Sequence, residues 1–307
     1  MNDRHKDSSP SVHGSKDNNS THSSIRGLIA LPPLPRRSHE LLRLLSDPAL
    51  NILRLVELIE QTPSLAARIM GAAGSPFFRS PTPPRHLSDA IIRLLGLDLV
   101  RDLSLSLILS QSFRVQHSAR FDPMRYWRHA MLSATLAQIL APKIAVNEAP
   151  NPSEAYLAGL LHNLGLLALV HVAPEGMDHV FEQAEADPAQ SLAGIERALL
   201  GLDHADAGGE IAVAWHLPPA IGAAMRHHRD ALYRGPHWPL IILINVADGA
   251  SAEQTHGEQR TDDVDSRAKL LDALGIAPMH WERAVAHWRE QVDNIERLAA
   301  VLGSRLS

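Results

Sequence analysis

The chain has 307 residues, a net charge of −5, no cysteine, and a hydrophobic content of 45% to which aromatic residues contribute little. That charge lacks the basic footprint of a nucleic-acid binder, the few aromatics leave no base-stacking platform, and the absence of thiols removes disulfide frameworks and thiolate chemistry. The apolar fraction must come from Leu, Ile, Val and Ala, which suits packed helices better than strands, and the length allows two lobes around a real core.

Residues 1–24 are Ser, Asn, Asp, Lys and His with almost nothing to bury, and are expected to form a disordered tail. The spacing of His5, His13 and His22 within it is irregular, so they read as solvated linker rather than ligands. A first helical lobe is predicted from Ile25 to about Arg120. Ser38 can cap a short helix through Leu45, and Asn51 precedes Ile52, Leu55, Val56, Leu58 and Ile59 at helical spacing. Thr62-Pro63 supplies a cap and a first-turn proline. Gly74 and Gly96 mark helix ends, and Ser80 to Pro84 is a proline-rich connection. The helix from Asp98 to Phe113 has leucines on nearly every face and is expected to be buried. No polar residues converge in this lobe, which reads as a scaffold.

A second lobe, residues 121–250, opens at Asp122-Pro123 with a cap and a first-turn proline ahead of His129. One helix from about Ser153 through Leu169 carries His162 and Asn163, and two more lie between Pro174 and Leu200. Asp203 caps the next helix and places His204 in its first turn, with Asp206 as a first-turn charge. Pro218-Pro219 starts a helix that ends in His227-His228. Trp238 to Ala250 is an apolar helix with Asp248 near its end. The longest unbroken apolar runs, Leu164–Ala173 and Pro239–Ala247, fall short of the ~20 residues of a membrane span. The first two dozen residues show no signal peptide. A cytoplasmic protein without a membrane partner is the resulting expectation.

Residues 251–307 add a polar link from Ser251 to Asp262, a helix from Val264 to Leu274 and another from Pro278 to Leu302. In the last, Trp281, Val285, Trp288, Val292, Ile295, Ala299 and Leu302 make an apolar seam at four-three spacing. The seam suits either a homodimeric coiled coil or packing back onto its own domain. The uncharged flank of Ala284, Gln291 and Leu298 favours the second.

Chemistry concentrates around Ala158-Gly-Leu-Leu-His-Asn-Leu-Gly165. Imidazoles and carboxylates suit borderline divalent ions, and His129, His162, His204, His227, His228 and Asp248 are the candidates to converge there. A lone His on an apolar helix is more often a hydrogen-bonded core residue, the reading given to His171, His179, His216 and His237.

Several segments together resemble the HDOD family, bacterial signalling proteins related to the HD phosphohydrolases. They are Leu31-Pro-Pro-Leu-Pro35, Thr62-Pro-Ser-Leu-Ala-Ala-Arg68, Ser75-Pro-Phe-Phe78, Ala90-Ile-Ile-Arg-Leu-Leu-Gly96, Tyr126-Trp-Arg-His129, Gly159-Leu-Leu-His162, Leu202-Asp-His204, Trp215-His-Leu-Pro-Pro219 and His227-His228. Their order carries the resemblance, from about Leu31 to about Asp248. It implies an all-α, two-lobed fold and a vestigial metal constellation of His129, His162, Asn163, His204, His227, His228 and Asp248, without catalytic residues.

Three positions depart from the family patterns: Asn163 stands for the HD aspartate, Leu166 for a phosphate-facing lysine, and Gly71-Ala-Ala-Gly74 for a common Asn-Ser pair. An amide at 163 supplies no charge between two dications and takes no proton as a base. The resemblance therefore implies a non-catalytic regulatory module that binds a signalling protein in trans, or a small ligand in an open, histidine-lined cleft that tolerates side-chain loss. No cofactor is required, with one weakly held divalent ion as the most the site would take. The alternative is a metal-dependent phosphohydrolase of nucleotides or cyclic dinucleotides that uses Asn163 as a neutral ligand.

Overall fold

The computed structural model describes residues 34, 51–75, 78, 84, 86–256 and 261–303, with the side chains at 256 and 261–264 excepted. The predicted tail, the helix from Ser38 to Leu45 and residues 80–83 of the proline-rich connection lie outside them. Among the described residues every regular element is helical, as the composition requires.

The first part holds α1 (Ile52–Glu60), α2 (Pro63–Ala73), a short α3 (Leu87–Ala90) that continues as a π turn (Ile91–Leu95), and α4 (Leu97–Ser110). Asn51 caps α1 by accepting from the Arg54 amide at 3.0 Å. Gly96 takes φ +79 between the π turn and α4, a conformation that costs glycine least. Along α4 every residue from Leu103 to Leu109 is buried, as its leucines on all faces foretold.

The second part holds α5 (Pro123–Leu140), α6 (Pro152–Leu161), α7 (Leu164–Val172), α8 (Pro174–Ala186), α9 (Leu192–Leu200), α10 (His204–Ala214), α11 (Pro219–His227) and α12 (Trp238–His256). Asp122 caps α5 through the Met124 and Arg125 amides, and a reciprocal Asp203/Asp206 capping box starts α10. The C-terminal helices are α13 (Thr261–Ala273), α14 (Pro278–Glu290) and α15 (Val292–Gly303). One buried apolar cluster runs from Leu34 to Leu302 through all three regions, and a smaller one joins α7 to α10.

Three predicted helices differ. The single helix from Ser153 to Leu169 is two, α6 and α7, because Asn163 leaves helical geometry at φ −95, ψ 14. The two pieces still form an apolar stretch, Pro152–Val172, long and apolar enough by composition to cross a membrane; 72% of it is buried inside this fold. Counting unbroken apolar runs had missed it. The helix from Trp238 runs to His256 rather than Ala250, so the polar link is shorter than expected. Ser251 and Thr255 return their hydroxyls to the carbonyls of Ala247 and Ser251, so polar composition does not end the helix.

The third difference is the Trp281 to Leu302 seam, which is broken at Gln291 into α14 and α15. Both halves lie along α5 with Trp288, Val292, Ile295, Ala299 and Leu302 buried. Trp288 Nε1 donates to the Leu132 carbonyl at 3.0 Å. The seam is therefore not one continuous helix, and it packs back onto its own domain.

The first lobe also contains a polar cluster that its sequence did not reveal. Asp102 on α4 is 1% exposed. Its Oδ1 accepts from Arg101 Nε at 3.2 Å, and Arg101 Nη2 reaches Ser153 Oγ of α6 at 2.8 Å. Burial outweighs the Arg101 charge and raises the carboxyl to about 7. Unfolded, Asp102 releases its proton near 3.8, so folding takes up a proton between those values and stability falls as pH rises through that window. We expect Asp102→Asn to gain stability over the parent chain as pH rises from 5 to 8, by on the order of 1–4 kcal/mol. Urea titrations at both pH values test this, and a pH-independent difference would refute it.

Candidate metal centre

Two glycines set the geometry of the centre. A Cβ at Gly159 would lie 2.6 Å from Ala134 Cα, so α6 and α5 touch backbone to backbone. A Cβ at Gly165 would strike the His204 carbonyl, which fixes α7 against α10. These contacts bring His129 of α5, His162 at the α6 end and Asp248 of α12 together. Asp248 Oδ1 lies 2.8 Å from His129 Nε2 and 3.2 Å from His162 Nε2. Behind this triad the His162 and His228 rings are 4.9 Å apart, and those of His228 and His204 are 5.6 Å apart.

The tautomers follow from acceptors that cannot donate. His162 Nδ1 is 2.7 Å from the Gly159 carbonyl, and His228 Nδ1 faces the Ala224 and Met225 carbonyls at 3.2 and 3.1 Å. Each Nδ1 therefore carries the hydrogen and each Nε2 presents a lone pair. His228 Nε2 is buried with no hydrogen-bond partner. His204 Nδ1 donates to Glu196 Oε2 at 2.6 Å, and the same oxygen accepts the His204 amide at 2.9 Å. Burial holds His162 below its ordinary value and His228 well below. Burial alone would raise Asp248, but its hydrogen bond with His129 leads the contacts that hold it well below the carboxylate range. At neutral pH an uncharged His162 thus turns a lone pair toward an ionised carboxylate.

That acceptor facing an acceptor is the observation by which a metal is tested, and it fits. One divalent ion between His129 Nε2, His162 Nε2 and an Asp248 oxygen, atoms all within 4.8 Å of one another, would satisfy both lone pairs. Nδ1 hydrogens held by carbonyls or a carboxylate are the usual outer support for such ligands.

The predicted residues do not all converge. His227 stands apart, half-buried and stacked on Tyr233 with centroids 4.4 Å apart, because the α11 terminus turns only its successor His228 inward. Asn163 sits at the helix break with Oδ1 buried and unpartnered. His204 approaches only through His228. Glu196 was missed; an acidic residue eight positions before a histidine carries no ligand spacing, and only its complete burial marks it. Nor is the centre an open cleft. His162 and His228 are 0% exposed and His204 3%, leaving His129 and Asp248 as its outward edge.

The four histidines assigned to the core are not core residues. His179 and His216 are exposed, His237 is half-buried, and His171 is half-buried with Nδ1 accepting the Arg114 amide. His171 and His179 lie on helices whose outward face the sequence did not reveal, and His216 and His237 lie outside the helices, at φ +53 and +62.

Residues 31–231 match the HDOD domain. The chain belongs to the HDOD family. A crystal structure from Marinobacter aquaeolei VT8, of a protein provisionally named for signal transduction, is 28% identical to this HDOD chain with a TM-score of 0.79, covering 94% of this chain and 66% of that one. A Shewanella amazonensis SB2B structure, provisionally named a phosphohydrolase, shows the same fold at TM-score 0.72 and 20% identity, over 91% of this chain and 98% of its own. An uncharacterised Treponema pallidum (strain Nichols) protein is 26% identical over 220 residues, 71% of this chain. This HDOD chain spans 41% of that relative's length.

Because the histidines are enclosed, their loss should cost stability. We expect His228→Ala to destabilise by about 2–5 kcal/mol, as Leu160→Ala should, and the partly exposed His129→Ala by less. Denaturant midpoints decide it; a His228→Ala chain as stable as its parent would contradict the enclosed centre.

Proposed function

We propose that this HDOD chain is a non-catalytic regulatory module for signal transduction that contacts a protein partner in trans. The observation that carries the reading is Asn163. Among the described residues the centre offers one carboxylate to one group of three ligands, and the side chain beside His162 is a neutral amide. A pair of dications needs a negatively charged bridge, which an amide cannot be, and an amide cannot serve as a general base. Leu166, where a phosphate-facing cation would help hydrolysis, is instead half-buried against both apolar clusters. Enclosure of His162, His204 and His228 leaves little room for a nucleotide-sized ligand, which favours a protein contact on the outer surface. The likeness to the Marinobacter protein provisionally named for signal transduction supports this reading.

A second reading has an observation in its favour. The His129, His162 and Asp248 set together with the unpartnered His228 Nε2 fits a divalent ion, which would supply a Lewis acid for a phosphate ester. The two readings separate on turnover. Hydrolysis of cyclic dinucleotides, nucleoside phosphates and generic phosphodiesters should stay at background with added manganese, iron or nickel. Turnover in the parent chain that vanishes in His162→Ala would establish the phosphohydrolase instead.

Metal stoichiometry gives an independent check. Elemental analysis after equilibration with manganese or zinc should find no more than one ion per chain, bound weakly, and Asn163→Asp should tighten it by adding a charged ligand. Two stoichiometric ions in the parent chain would show that Asn163 does not limit the site.

A further inference from the structure

A cavity of about 370 Å³ lies between α12, α13 and α14, away from the histidines. This is within the range of roughly 300–1,000 Å³ typical of small-molecule sites. Trp281, Val285 and Trp288, one face of α14, line it with apolar surface. The Trp288 indole nitrogen is already committed to the Leu132 carbonyl, so that ring adds apolar area rather than a donor.

The facing wall is flat and held in place. Arg267 Nη1 is 2.8 Å from Glu253 Oε1, with side chains 13% and 19% exposed. The Arg267 guanidinium also sits 5.3 Å from the centre of the Trp281 ring, close enough for cation–π attraction. Glu253 neutralises Arg267. Arg289, at the rim, is exposed and has no ion pair among the described residues, so the lining carries one uncompensated positive charge.

Indole and guanidinium planes select a flat unsaturated ring, and the spare cation selects a negative substituent. We propose that this cavity is a binding site for a small planar aromatic anion, its ring against Trp281 and its charge toward Arg289. The site does not depend on whether the histidine centre is catalytic. Its occupant would touch α12, which carries both Glu253 and Asp248, and Trp288 of α14, which is hydrogen-bonded to α5, the helix of His129.

The anion could be a carboxylate or a phosphate, and the test distinguishes them. The chain has five tryptophans, so the indole N–H signals in a nitrogen–proton correlation spectrum are few, and Trp281→Phe identifies one. The full chain is titrated with indole-3-acetate and with adenosine monophosphate, beside uncharged indole and adenosine. We expect a saturable shift of Trp281 with one anion at a Kd near or below ~1 mM, and binding of its uncharged counterpart at least about tenfold weaker. Arg289→Gln should weaken that anion about tenfold while leaving the other indole signals in place, since the residue is exposed. Filling the cavity with Val285→Trp should abolish the shift. Preference for indole-3-acetate assigns the site to carboxylates, and preference for adenosine monophosphate assigns it to phosphates. No saturable shift of Trp281 by about 5 mM of either anion, equal binding of the uncharged rings, or indifference to Arg289→Gln would each overturn the proposal.

Discussion

The contact on which the rest of the molecule depends is the backbone approach of α6 to α5 at Gly159 and Ala134. Side chains of ordinary size between two helices hold their axes about 8–10 Å apart, and glycine allows a closer approach. Here that closeness puts the His129 and His162 rings 5.5 Å apart, so both reach one carboxylate supplied by α12. Gly165 repeats the device on the far side of the helix break, where α7 meets α10 and His204 enters the cluster through His228. The Gly-Leu-Leu-His-Asn-Leu-Gly run is therefore a packing motif as much as a ligand motif, and its two glycines are as determining as its histidine.

The centre combines several imidazoles with a single carboxylate among its grouped ligands. Three histidines have Nδ1 hydrogens satisfied by carbonyls or by Glu196, so each has a fixed tautomer. Asp248 is the one anion of the triad. Such an arrangement is pre-organised for a single cation, and the amide at 163 gives no electrostatic reason for a second. The supporting hydrogen bonds and the packing serve the fold whether or not a reaction occurs at the centre.

Much of this was legible in the sequence. Asn51, Asp122 and Asp203 mark helix starts because a short polar side chain ahead of an apolar run has one good use, and each caps its helix as predicted. The grouping of His129, His162 and Asp248 was expected from the family resemblance rather than from any local signal. What the sequence hid was decided by tertiary contact. His227 and His228 are adjacent and chemically identical, and only the end of α11 determines which of them turns inward. Glu196 and Asp102 are acidic residues on otherwise ordinary helices, and nothing local says that each is enclosed. The apolar seam across Gln291 kept its period through a break, so periodicity identified the buried face but not the bend.

The indole of Trp288 on the Leu132 carbonyl bears on where this domain ends. The family match closes at residue 231, yet the third member of the triad lies at 248, and α12, α14 and α15 cover α5. A fragment cut at the end of the match would expose the faces of α5 that bury Trp288, Ile295 and Leu302, and would leave His129 and His162 without their shared carboxylate. The stretch that matches the family and the stretch that buries its own apolar faces are thus different lengths of chain, and the second reaches to α15.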